Sequence, residues 1–388
     1  MKWKWSTISL GDIALQHGGS VDPQKHLDEE FELYSIPAFD KGAPEVATGA
    51  HIGSIKKVVQ PSDVMISRIV PHIRRACIVG QNNGRRQIAS GEWIIFRSKD
   101  IYPQYLRWVV VGDAFHSAFM RTVSGVGGSL LRARPKEVFK IEIPLPPLAE
   151  QKRIAAIMDA ADALRAKRRE SLAQLDILLQ STFLDVFGDP VTNPKGWEKS
   201  TVGKIAIKVT DGDHHTPKRS ESGIKLLSAR NILHGWVDLT NTDFVEQDEY
   251  ERMIKRCHPE REDILISCSG SIGRVARITF TEPVVLVRSA ALIKPDQSVV
   301  NSIFLEHFLR TPQLQLKMVQ SAKSSSQANL FQKPIRDLPT LLPPLTLQHQ
   351  FATIVESVEK QKSRLRAHLS ELDTLFASLQ SRAFNGEL

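Results

Sequence analysis

The sequence predicts an α+β chain built twice over: two similar globular domains separated by two long antiparallel coiled-coil helices, a pseudo-two-fold repeat. Three observations carry this expectation. Leu145-Pro146-Pro147-Leu148 recurs as Leu342-Pro343-Pro344-Leu345. Carried through this repeat, the offset of 197 leaves 13 of the 37 positions from 145 to 181 identical, where about two or three are expected by chance at average composition. Each copy then opens a long run of apolar residues at steps of three and four, close to the 3.5-residue coiled-coil repeat.

The helices follow from those steps and from the prolines, which force extended backbone and mark each helix start. The pairing face is expected at Ile157, Leu164, Leu172, Leu175 and Leu178 in the first helix. Ile354, Val358, Leu365, Leu372 and Leu375 form it in the second. About 38 residues at about 1.5 Å each make a rod of about 57 Å. An antiparallel pair is expected because the first helix must deliver the chain to a second domain, whose own helix then returns. The segments are placed at 1–145 (domain), 146–189 (helix), 190–341 (domain) and 342–388 (helix).

Fainter echoes extend the repeat. Trp3-x-x-Ser6-Thr7 resembles Trp197-x-x-Ser200-Thr201, and Gly11-Asp12-Ile13-Ala14 resembles Gly203-Lys204-Ile205-Ala206 after a two-residue gap. Inside the domains, Val64–Ser67, Ala76–Val79 and Trp93–Phe96 read as strands and Pro103–Met120 as a helix. In the second domain Ile264–Ser267, Val275–Ile278 and Val284–Val287 are β-rich, and Ser302–Gln320 reads as a helix.

A formal charge of +8 and a pI near 9.3 favour a polyanionic partner. Polar, glycine-bearing loops supply cations for phosphates and Arg, Asn, Gln or Ser for base edges. In the first domain the candidate DNA-binding residues are Arg74, Arg75, Arg85, Arg86, Arg121, Ser129, Arg132 and Arg134. In the second they are His214, His215, Thr216, Lys218, Arg219, Arg230, Asn231, Ser271, Arg274, Lys323, Ser325 and Gln327.

The chemistry of catalysis is missing from the pattern. No Gly-x4-Gly-Lys-Ser/Thr run encodes a nucleotide motor. Gly125-Val126-Gly127-Gly128 lacks the strand and spacing of a dinucleotide fingerprint and reads as a flexible loop. Asn193-Pro194-Lys195-Gly196 reads as a linker turn rather than a base-methylating loop. His214-His215, Cys257-His258 and Cys268 show no zinc-ligand spacing, so no metal is expected. Three cysteines, no signal-peptide core and no membrane-spanning run lead to the expectation of a cytoplasmic protein.

Pro146 to Ile154, the C-terminal Ala383 to Leu388, Trp3 to Ala14, Asp211 to Lys218 and Glu262 to Ser267 resemble the specificity subunit of type I restriction–modification systems. The resemblance implies two target-recognition domains, each reading half of a bipartite double-stranded DNA site, with the helices setting the gap. It implies two modification (methyltransferase) subunits as partners, joined by restriction subunits with translocase and nuclease activity. S-adenosylmethionine, ATP and Mg would sit on those partners, leaving this chain without cofactor or catalytic residue. The rival readings are an orphan DNA-binding or scaffold protein, and a stand-alone methyltransferase or nuclease.

Overall fold

In the computed structural model the described residues are 5–16, 18–125, 131–323 and 329–388. The chain divides into two compact units: residues 1–169 with 367–388, and residues 170–366. Each long helix therefore contributes one part to each unit. The first runs Leu148–Phe187 and the second Leu345–Asn385. Both begin one residue after the Pro-Pro pair, where fixed φ and the missing N–H suit a helix entry.

The two units share one plan, with strands added to it in each. Unit 1 closes with Ser6–Ser9 antiparallel to Glu142–Leu145, and unit 2 with Glu198–Thr201 antiparallel to Pro339–Leu342. In unit 1 Val64–Ser67 lies between Ala76–Ile78 and Trp93–Phe96; in unit 2 Ile264–Ser267 lies between Val275–Arg277 and Ala290–Pro295. A second, mixed sheet holds a parallel pair in each, Glu30–Tyr34 with Arg86–Ala89 and Ile224–Leu227 with Val284–Leu286. Unit 1 adds Ser20–Val21 and Lys56–Val58 to that sheet. The sheet register also corrects the N-terminal echo. Leu10 donates to the Ile141 carbonyl as Val202 does to that of Leu338, and Gly11 packs on Phe139 as Gly203 packs on Arg336. The counterpart of Trp197 is thus Trp5, and no gap is needed.

Two helices expected to be continuous are broken. Pro103–Val111 and Asp113–Met120 are separated by Gly112, whose ψ of 155° is extended. Ser302–Leu309 stops before Pro312, which opens the next helix, Pro312–Lys323. A proline lacks the N–H needed to continue the first helix and is accommodated at the start of the second.

One duplicated residue shows how each long helix is tied to its domain. Gln151 is 1% exposed and Gln348 0%. Gln151 Nε2 donates to the Pro146 carbonyl, and its Oε1 accepts from the Tyr102 N–H at the start of Pro103–Val111. Gln348 repeats both bonds, to Pro343 and from Asn301. Gln348→Ala strands buried donors and acceptors, and is expected to cost about 2 kcal/mol by equilibrium denaturation; a loss under about 0.5 kcal/mol would contradict this role.

Helix pairing is antiparallel inside each unit. In unit 1 Arg165 Nε donates to Asp373 Oδ1 at 2.6 Å, while Arg153 reaches the Leu388 carbonyl. In unit 2 Lys362 Nζ donates to Asp176 Oδ1 at 2.7 Å, and Phe351 meets Phe183 at 5.5 Å. The offset of 197 maps Arg165 onto Lys362 and Asp176 onto Asp373, so one ion pair is the repeat of the other.

The apolar seam differs from expectation. Leu164, Leu178, Ile354 and Leu375 are 55, 48, 41 and 50% exposed, so they are not buried between the helices. Ile157, Leu172, Leu175, Leu365 and Leu372 are half-buried, and Val358 is buried. The deeply buried positions are Ile154, Met158, Leu179, Phe183 and Phe187 on one helix and Phe351, Val355 and Phe376 on the other. These face domain cores: Phe376 packs on Trp108 at 5.5 Å, and Phe187 on Phe304 at 4.7 Å. A leucine count at 3.5-residue steps finds a stripe, but aromatic volume decides which side of the helix is buried.

His307 lies 5.2 Å from the Phe351 ring and lines a cavity with Arg310 and Lys362. Burial first, then those cations, press its pKa from 6.5 to about 3. A folded value below the unfolded one means that the unfolded chain takes up the proton first as pH falls. The contribution is complete above pH 6.5 and is lost progressively towards pH 3. Because the ring is only half-buried by area, we expect a loss on the order of 1 kcal/mol from pH 7 to 5. His307→Gln should flatten that slope in urea titrations; an unchanged slope would exclude His307 as its source.

Candidate nucleic-acid interface

The loop after Ala206–Asp211 shows how a short polar segment is held. Gly212 sits against the strand Val284–Leu286: its N–H donates to the Ala290 carbonyl, and that of Asp213 to Leu286. Asp211 and Asp213 are the loop's anchors. Asp211 accepts from His214 Nε2 at 2.6 Å, Arg256 at 2.6 Å and the Gln332 amide. Asp213 pairs with Arg252, which also holds Glu249 at 2.9 Å. Burial pushes the Asp211 and Asp213 carboxyls up, but these hydrogen bonds outweigh it and hold both below the usual carboxylate range. Two anions thus bind two cations, and these pairs anchor the base of the loop to the rest of unit 2.

That pairing leaves the remainder of the loop outward. His214, His215, Thr216, Lys218 and Arg219 are exposed, while Pro217 between them is buried. The Lys218 N–H donates to Glu249 Oε1 at 3.2 Å, which fixes the backbone there. Arg219 and Arg230 both approach Asp243 Oδ2, at 3.4 and 3.0 Å. Two guanidiniums on one carboxylate leave a net positive charge at the surface. This group of cations, an alcohol and imidazoles is suited to phosphate and base-edge contacts.

A second turn lies beyond Ile264–Ser267. Ser267 Oγ, fully buried, donates to the Ser271 carbonyl and accepts from the Arg274 N–H at 2.9 Å. Gly270 and Gly273 take positive φ of 69° and 84°, which lets the chain reverse there. Ser271 is exposed and Arg274 half-buried.

Asn231 must be corrected. It is 1% exposed; its Oδ1 accepts from the Ser228 N–H, and its Nδ2 donates to the Asp238 and Asn241 carbonyls. With these atoms occupied internally, it shapes a turn and offers no base-reading edge. Asn193-Pro194-Lys195-Gly196 forms a tight turn, with Asn193 Oδ1 accepting from Trp197.

In unit 1 five of the candidate arginines, Arg74, Arg75, Arg85, Arg86 and Arg132, have carboxylate partners. Arg75 forms a two-point pair with Asp40 at 2.7 and 2.9 Å and its side chain is 10% exposed, so it belongs to the scaffold. Arg74 pairs with Asp113 at 2.6 Å, Arg85 with Glu30 at 2.9 Å and Arg86 with Glu29 at 3.0 Å. Arg132 shares Glu92 with Arg68, and Arg134 donates to the Thr122 carbonyl at 3.3 Å. Arg121 is exposed at the end of Asp113–Met120. Lys323 ends the helix Pro312–Lys323. Ser129, Ser325, Gln327 and residues 126–128 lie outside the described residues.

Sequence reasoning missed Arg252, Arg256, Gln332 and Asp243, which hold the loop from elsewhere in unit 2. The i, i+4 spacing of Arg252 and Arg256, with Glu249 one turn earlier, was the available signal. Nothing in the sequence named their partners.

A duplicated α+β chain with two heads and two returning helices defines the class, and the comparisons agree. Residues 117–174 and 194–372 match the family described as type I restriction modification DNA specificity domain. The chain belongs to that family. It is 27% identical over 284 residues to the type I restriction enzyme EcoBI specificity subunit of Escherichia coli, covering 63% of this chain and 58% of that one. It is 25% identical over 290 residues to the EcoKI specificity subunit of Escherichia coli strain K12, covering 68% and 61%. The chain thus matches about three-fifths of these relatives' length. Its fold resembles a chain from a structural study of type I R-M complex assembly and conformational transition, with TM-score 0.60, 20% identity and full coverage of both chains. It also resembles the type I restriction–modification S subunit from M. genitalium, with TM-score 0.57, 14% identity and coverage of 99% and 96%. Among the described residues no helix is long and apolar enough to cross a membrane.

Proposed function

We propose that this chain is the DNA-recognition subunit of a type I restriction–modification complex. Each globular domain reads one half of a bipartite site in double-stranded DNA, and the long helices fix the unread gap. The chain carries no catalytic group; methylation, translocation and cleavage belong to partner subunits, which hold S-adenosylmethionine, ATP and Mg. The observation that carries this reading is the repeated fold combined with an anchored, cation-bearing loop at Asp211–Arg219. A duplicated scaffold offers two similar heads, and different loop residues allow each head its own sequence.

Affinity and specificity then have separate sources. Lysines and arginines displace counterions, so log K falls by about 0.9 per phosphate contact for each tenfold rise in salt. Side chains at base edges add about 1–3 kcal/mol of discrimination for each good bidentate pair. Two heads on one chain bind together through effective concentration when the gap matches, with half-sites on one DNA face near one helical turn apart. The exposed Leu164, Ile177, Leu178 and Leu375 give the long helices apolar surface on which two modification subunits can dock.

Exchanging residues 1–145 for those of another family member is expected to change one half-site and leave the other, read by methylome sequencing. Change in both halves would defeat the modular assignment. For the loop, Lys218→Ala should reduce the slope of log K against log salt by about 1 in gel-shift titrations, equally for all sequences. A slope that does not move removes Lys218 from the phosphate contacts.

A further inference from the structure

Unit 1 contains a cavity of about 470 Å³ whose lining includes none of the candidate DNA-binding residues. Its walls include Tyr34, Phe39 and Trp93, with Glu32 and Cys77 among the polar lining groups. Phe39 and Trp93 meet edge to face at 5.7 Å, and Gly42, at φ 91°, turns the chain around the rim.

Glu32 is the unusual member. It is 6% exposed, and its hydrogen-bond partners are neutral: the Tyr34 hydroxyl at 2.8 Å and the Gln87 amide at 3.4 Å. Burying a carboxylate without a cation is costly unless donors surround it. Its Oε2 has only the long contact from Gln87. The Gln87 Oε1, in a side chain 3% exposed, is buried with no hydrogen-bond partner. Glu32 therefore brings an acceptor with spare capacity to an aromatic-walled space, with Gln87 packed behind it. Tyr34 cannot relieve it further, since its hydroxyl is already committed to Glu32 and accepts from the Gly80 N–H at 3.0 Å.

The fold does not demand this arrangement. Ser90 donates to the Tyr34 carbonyl as Val287 does to that of Leu227, which aligns the two sheets residue by residue. At the matching positions unit 2 has Lys225 for Glu32, Leu227 for Tyr34 and Ala290 for Trp93. At these positions, among the described residues, unit 1 has aromatic walls and a buried acid where unit 2 has neither.

We propose that this cavity binds a flat, unsaturated ring bearing an exocyclic amino group, a nucleobase of the cytosine, adenine or guanine type. The aromatic side chains would cover its faces or edges, and Glu32, held from behind by the Gln87 amide, would accept its N–H donors. With a carboxylate and no lysine or arginine in the lining, the cavity admits a base and repels a phosphate. Two sources share this chemistry: a free nucleoside, or a base extruded from a duplex, whose unstacking costs a few kcal/mol. Only the second source rests on the DNA-recognition reading above.

The experiment uses the full chain and titrates cytidine, adenosine, guanosine and thymidine by calorimetry. At least one amino-bearing nucleoside is expected to bind saturably, at least tenfold tighter than thymidine. Glu32→Gln, which keeps the shape but replaces an acceptor by a donor, should weaken it at least tenfold. Should that variant misfold, Phe39→Ala at the half-buried rim should give a comparable loss. A second arm compares fully paired duplexes with duplexes carrying one unpaired base. Several-fold tighter binding of an unpaired amino-bearing base, lost in Glu32→Gln, assigns the extruded source; nucleoside binding without it assigns the free one. Equal binding of thymidine, no binding of any nucleoside, or indifference to both substitutions overturns the proposal. Nucleoside binding by a chain that fails to shift duplex DNA instead refutes the DNA reading and leaves the cavity's assignment standing.

Discussion

Phe183→Ala is expected to destabilise unit 2 by about 4 kcal/mol, the largest loss from any single truncation considered for this chain. Phe183 is 2% exposed and stands where three segments meet. It contacts Phe187 at 5.0 Å on its own helix, Phe304 at 5.8 Å and Phe308 at 6.3 Å on Ser302–Leu309, and Phe351 at 5.5 Å on the second long helix. Removing the ring leaves a cavity among side chains held by rigid helices, so collapse relieves little of the cost. Thermal unfolding should show the affected transition lowered by about 10 °C for a unit of this size. Exposed Leu178, five residues earlier and 48% exposed, is the contrast: Leu178→Ala should change stability by less than about 0.5 kcal/mol. Equal losses at the two positions would mean that the helix face has been assigned wrongly.

This pair of residues shows what the sequence could disclose. The duplication was legible because identity at fixed spacing is a property of the chain itself. Leu145-Pro146-Pro147-Leu148 and its copy mark helix starts by local backbone chemistry, and the helices begin there. The strands Val64–Ser67, Trp93–Phe96 and Ile264–Ser267 were equally legible, each a short apolar run fully buried in its sheet. The buried helix face was not. It depends on what packs against it, and Phe183 and Leu178 look alike until Phe304 and Phe351 are placed.

Val284–Val287 reads as β-rich and is a strand over Val284–Leu286, but the mixed sheet of unit 1 was missed for a related reason. Glu30–Tyr34 and Arg86–Ala89 carry charges at their ends and pair in parallel across 55 residues, and no local alternation announces such a pairing. In the loops the sequence located the cations but not their counterions. Arg75 looked available and is committed to Asp40; Asn231 looked like a base reader and is sealed in its own turn. Residue type suggests what a side chain can bind, while its neighbours in space decide what it does bind.

Gly212→Ala tests whether the Asp211–Arg219 loop is the DNA-facing element. A Cβ at residue 212 would lie 2.3 Å from the Leu286 carbonyl oxygen and 2.5 Å from that of Val287. Both obstacles are backbone, one at the end of the strand Val284–Leu286 and the other just beyond it, and neither can rotate away as a side chain would. The loop must shift outward, which breaks the Asp213 N–H bond to Leu286 and that of Arg288 to Asp213. The anchors then lose register: Asp211 with Arg256, and Asp213 with Arg252. We expect a stability loss of about 2 kcal/mol, within the range for overpacking, and DNA affinity reduced by roughly 10- to 100-fold, the equivalent of one good base contact. Gly53→Ala, with no atom within 4 Å of the added carbon, should alter neither. Because Gly212 carries no side chain, any loss of binding comes from where the loop sits rather than from a deleted contact. A folded Gly212→Ala chain that still selects the same half-site with undiminished affinity would move DNA recognition in unit 2 to another surface.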